Sequence, residues 1–168
     1  MELYVIRHGI AESAAAHAGA DDARALTKNG REKVRAVAAF LKKQGACPTL
    51  VLSSPFTRAL ETAEILREGC PGTKETVITG LLKPDGLSNG GSYDPLVDYL
   101  NGLDVDSVAI VGHEPFLSGF VSYCLSRGKM PFVRMKKAGV AAIACTGPLE
   151  PGACELVWLV GPAQVLPE

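Results

Sequence analysis

Short, wholly apolar runs that each turn into a helix-patterned stretch constrain this chain more than any other feature. Leu3-Tyr4-Val5-Ile6, Leu50-Val51-Leu52 and Val108-Ala109-Ile110-Val111 have no polar face, so each reads as a strand covered on both sides. Helical patterns lie between them. Thr27 stands as an N-cap before Val34, Val37, Ala38 and Leu41, spaced i, i+3, i+4, i+7, with an end near Gly45. Ser54 is placed to cap the next helix and Pro55 to begin it, with Phe56, Leu60, Ala63 and Leu66 along one face. Thr76-Val77-Ile78 reads as a short third strand, and Lys83 to Ser92, with Pro84, Gly86, Gly90 and Gly91, as a loop. Asp94 to Leu103 and Pro115 to about Ser126 read as further helices. After Lys129 the alternation stops. Val140 to Ala144 and Glu155 to Val160 are joined by a Gly/Pro-rich turn without a helix, which predicts an antiparallel pair. The expected fold is α/β: a three-layer α/β/α sandwich with a mostly parallel central sheet and an antiparallel edge. With 168 residues, no internal repeat and no linker, residues 1–168 are expected to form one domain.

Three polar segments follow three of the strands. Arg7-His8-Gly9 follows the first. Ser53-Ser54-Pro55-Phe56-Thr57-Arg58 follows the second, and Gly112-His113-Glu114-Pro115 follows the Val108 strand; both enter helices. Ligands of open parallel sheets bind beyond the carboxyl ends of the strands, so Arg7, His8, Arg58 and His113 are expected on one rim. Two guanidinium forks and two imidazoles at helix N-termini describe an anion pocket. Gly9 and Gly112 let a ligand approach the backbone. An imidazole nitrogen can attack phosphorus if it is unprotonated and the other nitrogen's proton is tied to an acceptor. His8, at the end of the innermost strand, is the expected nucleophile. His113 would donate to a phosphoryl oxygen while Arg7 and Arg58 neutralise charge, with no metal and no other cofactor.

Charge and cysteine usage exclude several other classes. Seventeen basic against eighteen acidic residues leave a net charge of -1, which gives no footprint for nucleic acid or an anionic membrane. Any bound anion must therefore be held by a local cluster. No apolar run is long enough to span a bilayer and the N-terminus lacks a leader pattern, so a cytoplasmic, monomeric protein is expected. The five cysteines, Cys47, Cys70, Cys124, Cys145 and Cys154, show no Cys-x-x-Cys spacing and suggest neither a disulfide framework nor a zinc site. None is followed six positions later by Arg, as a thiolate phosphatase requires, and no P-loop occurs. Asp104-Val105-Asp106-Ser107-Val108 mimics an aspartyl-nucleophile signature but precedes its strand, so it lies on the wrong rim.

The Arg-His-Gly at 7–9, the stretch SSPFTRALET from Ser53 to Thr62, and Gly-His-Glu-Pro at 112–115 resemble the histidine phosphatase superfamily. Leu26-Thr27-Lys28-Asn29-Gly30 and the short length make the chain most similar to SixA-type phosphohistidine phosphatases. The likeness runs from Met1 to about Leu125. It implies a phosphoglycerate mutase-like fold, with His8 phosphorylated and Arg7, Arg58 and His113 binding the phosphoryl group. Many relatives of this kind carry an acidic proton donor after the third strand. Here that segment reads Thr79-Gly80-Leu81-Leu82-Lys83-Pro84, with no carboxylate before Asp85. An alkoxide leaving group wants a general acid, whereas imidazole leaves easily, its conjugate acid having a pKa of about 6.5. The expected substrate is a phosphorylated histidine protein, such as a phosphotransfer domain of a signalling relay. A small-molecule phosphomonoesterase, with Asp85, Glu12 or Glu114 as acid, is the alternative. A catalytically silent phosphate-binding module is a third reading. Taken singly, Glu114 reads as a helix-start residue, Asp85 as a turn residue and His17 as a surface residue.

Overall fold

The computed structural model describes residues 1–85, 91–128 and 130–165. Part of the expected 83–92 loop, residues 86–90, lies outside the described residues. The elements are β1 (Glu2–Arg7), α1 (Lys28–Lys43), β2 (Leu50–Ser53), α2 (Thr57–Gly69), β3 (Glu75–Ile78), α3 (Asp94–Asn101), β4 (Ser107–Gly112), α4 (Phe116–Ser126), β5 (Val140–Ala144), β6 (Glu155–Val160) and α5 (Pro162–Val165). One-turn 3₁₀ helices occur at Asp21–Ala23 and Gly80–Leu82.

The strands form one sheet in the order β3-β2-β4-β1-β5-β6. The first four run parallel, β5 is antiparallel to β1, and β6 is antiparallel to β5. This is the α/β architecture expected from the sequence, with its mixed edge. Alternate residues of each central strand feed opposite layers. Leu3, Val5, Leu52 and Ile110 pack with Leu96, Leu100, Phe116 and Phe120 from α3 and α4. Tyr4, Ile6, Val51 and Ala109 pack with Val34, Leu41, Ala63 and Leu66 from α1 and α2. Burying each such aliphatic or aromatic side chain contributes roughly 1.5–3 kcal/mol, which is why the innermost strands carry no polar face.

The register puts the strand ends level. Arg7 pairs with Gly112, and Ser53 with Val111. The backbone then continues in step: His8 N–H donates to the Gly112 carbonyl (3.1 Å) and Ser54 N–H to that of Val111 (3.0 Å). Three chain segments thus leave the sheet side by side.

Two expectations for α2 are corrected. It begins at Thr57, after Phe56, not at Pro55, and no side chain caps it. Ser54 is instead committed to His113, as described below. The buried face comprises Arg58, Ala59, Thr62, Ala63, Ile65 and Leu66, whereas Phe56 and Leu60 are only partly buried. A search for apolar periodicity passes over Arg58 and Thr62, which are buried because they face the rim of the sheet.

The first turn of α1 clamps the chain just beyond His8. Thr27 caps it, its hydroxyl accepting from Gly30 N–H (3.0 Å). The same residue donates to the Ile10 carbonyl through its N–H (2.9 Å) and its hydroxyl (3.2 Å). A Cβ on Gly30 would lie 2.1 Å from that carbonyl oxygen, so only glycine permits this approach. Among the described residues no helix is long and apolar enough to cross a membrane. We expect Gly30→Ala to destabilise the fold by roughly 1–3 kcal/mol, because displacing a backbone carbonyl outweighs the helix-propensity gain of about 1 kcal/mol. A thermal melt several degrees below the parent is the expected readout; an unchanged or raised Tm contradicts the clamp.

Candidate active site

The rim gathers Arg7, His8, Arg58 and His113. The two imidazole rings stand 5.0 Å apart, centroid to centroid, tilted by 52°. His113 also meets the edge of Phe56 at 5.0 Å, and the Arg58 guanidinium lies 4.9 Å above that same ring. Phe56 therefore packs one imidazole and one cation at once. His8 is 7%, Arg58 4% and His113 2% exposed.

Hydrogen bonding assigns the His8 ring proton. His8 Nδ1 lies 2.7 Å from the Gly9 carbonyl oxygen, an acceptor only, so Nδ1 carries the proton and Nε2 keeps its lone pair. Ser54 Oγ accepts from Phe56 N–H (3.4 Å) and lies 2.9 Å from His113 Nε2. Six buried side-chain polar atoms among the described residues lack a partner. Four of them, Arg7 Nε, Arg58 Nε, His113 Nδ1 and Glu114 Oε1, belong to this rim. The two arginine Nε groups are donors, and a buried donor without an acceptor is costly unless a ligand supplies one.

Charge is arranged to keep both imidazoles neutral. Burial pushes His8 down to about 4, with Arg58 and Arg7 adding to the effect, although the bond to Gly9 opposes it. Burial pushes His113 down to about 3, helped by His8 and Arg58. Near neutral pH the site thus holds an uncharged nucleophile candidate between two fixed cations.

Arg58 is held by a residue that the sequence reading left in a loop. Its terminal nitrogens donate to the Asp21 carbonyl (2.7 Å) and the Asp21 carboxylate (3.0 Å). Arg24 binds the other carboxylate oxygen and, with Arg58, holds the Asp21 carboxyl below the usual carboxylate range. Thr62 is the second residue missed. Its hydroxyl accepts from Gly9 N–H (3.1 Å) and donates to the Arg58 carbonyl (2.7 Å), tying the two motifs together. Arg7 is anchored through one terminal nitrogen to the Met135 carbonyl (2.9 Å).

The other expected carboxylates are dispersed. Glu12 is exposed and pairs with His17 at 3.1 Å, and Asp85 is exposed. Glu114 accepts from Ser118 Oγ, so it serves the first turn of α4, and its charge reaches Arg7. His17 is more than a surface residue, since its Nε2 is buried.

The family model described as histidine phosphatase superfamily (branch 1) matches residues 3–81. The chain is 32% identical over 131 residues to phosphohistidine phosphatase SixA of Escherichia coli K12, covering 78% of each chain. It belongs to the histidine phosphatase superfamily, and the activity that goes with that membership is phosphatase hydrolysis. Within the superfamily its likeness is to the SixA type. The structure of protein histidine phosphatase SixA complexed with tungstate superposes with a TM-score of 0.83 at 27% identity, over 99% of this chain and 100% of that one. An uncharacterized protein of Picosynechococcus sp. is 32% identical over 143 residues, 85% of this chain and 84% of its own. A phosphoserine phosphatase from Entamoeba histolytica, at 18% identity and a TM-score of 0.68 over 98% of this chain and 99% of its own, shares the fold.

The depressed imidazoles predict a pH effect on stability. As pH falls, the unfolded chain protonates His8 and His113 first, near the ordinary 6.5. Stability from these rings is therefore complete above about 6.5 and is lost as pH drops from there toward 4. We expect unfolding free energy to fall over that window by an amount on the order of 3 kcal/mol for His8. The slope should flatten in His8→Asn and His113→Asn; identical slopes in parent and variants contradict the assignment.

Proposed function

We propose that this chain is a protein phosphohistidine phosphatase that takes the phosphoryl group onto His8 Nε2 before water releases it. One observation carries this reading. A lone-pair nitrogen on His8 shares a buried rim with His113 and with Arg7 and Arg58, whose Nε donors have no partner. That set matches a tetrahedral oxyanion attacked from one side.

In the first step Nε2 attacks phosphorus and the substrate's N–P bond breaks. Arg7, Arg58 and His113 hold the equatorial oxygens, where charge develops in phosphoryl transfer. The substrate imidazole, carrying a proton from solvent on its other ring nitrogen, leaves as neutral imidazole with the electron pair of the broken bond. In the second step water attacks phosphorus, the P–Nε2 bond breaks, and inorganic phosphate leaves with neutral His8 restored. The scheme draws its stabilisation from protein cations and calls on no metal ion.

The leaving group is the reason for choosing phosphohistidine. The segment after β3 presents Leu81 and Leu82 where many relatives of this type carry an acid. Leu82 is fully buried, and its carbonyl oxygen stands 3.3 Å from where a Cβ on Gly112 would be. That segment touches the third motif and offers no carboxylate. Imidazole does not need one. A second reading, a small-molecule phosphomonoesterase, is favoured by Glu114, whose unpartnered oxygen beside Arg7 could serve an alkoxide.

A rapid-quench experiment with labelled phosphohistidine protein tests the proposal. The parent should trap label that survives alkali and is lost in acid. His8→Asn should trap none and turn over more than about 10³-fold slower. Chelators should leave the parent rate unchanged. Faster turnover of sugar or serine phosphates contradicts the substrate. No phosphoenzyme and no phosphate release contradict catalysis and leave a binding module.

A further inference from the structure

A groove of ≈ 340 Å³ opens beside the site, lined by Ile10, Lys33, Lys136, Lys137, Pro162 and Gln164 among others. It begins two residues beyond His8. Ile10 follows Gly9, and a Cβ on Gly9 would lie 2.8 Å from Val34 of α1, so the helix carrying Lys33 packs directly on the nucleophile loop. The opposite wall is the turn at Lys136 and Lys137. Gly139 N–H closes that turn onto the Lys136 carbonyl (2.7 Å), and Ala138 N–H donates to the carbonyls of Arg7 and His8 (3.1 Å each). The groove and the phosphoryl seat are therefore walled by the same two pieces of backbone.

Among the described residues the lining carries three lysines and no carboxylate, in a chain whose net charge is -1. The six ion pairs among the described residues are made by arginines and a histidine; Lys33, Lys136 and Lys137 take part in none of them. Burial, then Arg7, Arg24 and Arg58, push the Lys137 ammonium down from its ordinary range, which reports uncompensated positive charge on this flank. An anionic partner would relieve it. At ≈ 340 Å³ the groove has room for more than a single small anion, and Ile10 and Pro162 add apolar lining beside the lysines, so it suits chain segments with carboxylate side chains.

We propose that this groove docks an acidic segment of the phosphorylated protein, adjacent in sequence to its phosphohistidine. The inference rests on the phosphohistidine reading above and adds the recognition element. It assigns Lys33 and Lys136 to substrate choice and leaves the chemistry to the rim.

The test uses two phosphohistidine peptides that differ only in flanking Asp/Glu or Ala, together with phosphoramidate as a small substrate. The parent should show a KM roughly 5–30-fold lower for the acidic peptide, a preference that fades as salt rises. Lys33→Glu/Lys136→Glu should erase the preference while phosphoramidate turnover stays at the parent level. Should that variant fail to fold, Lys33→Gln/Lys136→Gln should reduce the preference in the same direction. Binding of the unphosphorylated acidic peptide, followed by fluorescence anisotropy, separates the two claims. If the parent hydrolyses neither phosphopeptide yet binds the acidic peptide and the variant does not, the substrate reading fails and the groove stands. Equal KM values for both peptides in the parent, a preference retained in the variants, or equal loss of phosphoramidate turnover overturns the groove.

Discussion

The site depends on the parallel ladder between β1 and β4. It carries Arg7 level with Gly112 and lets His8 N–H reach the Gly112 carbonyl at 3.1 Å. A slip of one residue would send His8 to the opposite face of the sheet. What prevents the slip is hydrophobic. Leu3 and Val5 face one helical layer and Tyr4 and Ile6 the other, as do their β4 counterparts, so either displacement would disrupt both layers. The geometry of the rim is a by-product of core packing. The two imidazoles stand 5.0 Å apart because two buried strands end together.

Around that frame, burial and fixed charge act in the same direction. Withdrawing the rings from water disfavours imidazolium, and the flanking guanidiniums disfavour it further. The positive charge stays on the arginines, so the rim presents cations and neutral imidazole nitrogens together. Asp21 holds the Arg58 guanidinium in place through both terminal nitrogens, one on its backbone carbonyl and one on its carboxylate.

Much of this was legible in the sequence because it was written in patterns the backbone enforces. The unbroken apolar runs at Leu3 and Val108 announced central strands. The Thr27 cap was readable from residue type and spacing, and the four rim residues followed from strand-end position and from resemblance. What was not legible involved contacts across long sequence separations. Ser54 looked like a helix cap because Ser before Pro usually is one; its partner, His113, lies 59 positions away. Thr62 looked like an unremarkable helical polar residue, yet it joins Gly9 to Arg58. Asp21 sat in an Ala/Gly-rich loop with no period to mark it, and only the folded chain shows that it closes on Arg58.

The central claim is that Arg7, Arg58 and His113 hold one tetrahedral anion in line with His8 Nε2. A crystal structure of the protein grown with tungstate tests it most directly. The account predicts one oxyanion within hydrogen-bond distance of Arg7, Arg58 and His113 Nδ1, its central atom facing His8 Nε2, and Asp21 displaced from at least one terminal nitrogen of Arg58. Tungstate bound elsewhere, or bound here with His8 Nε2 turned away, would contradict it.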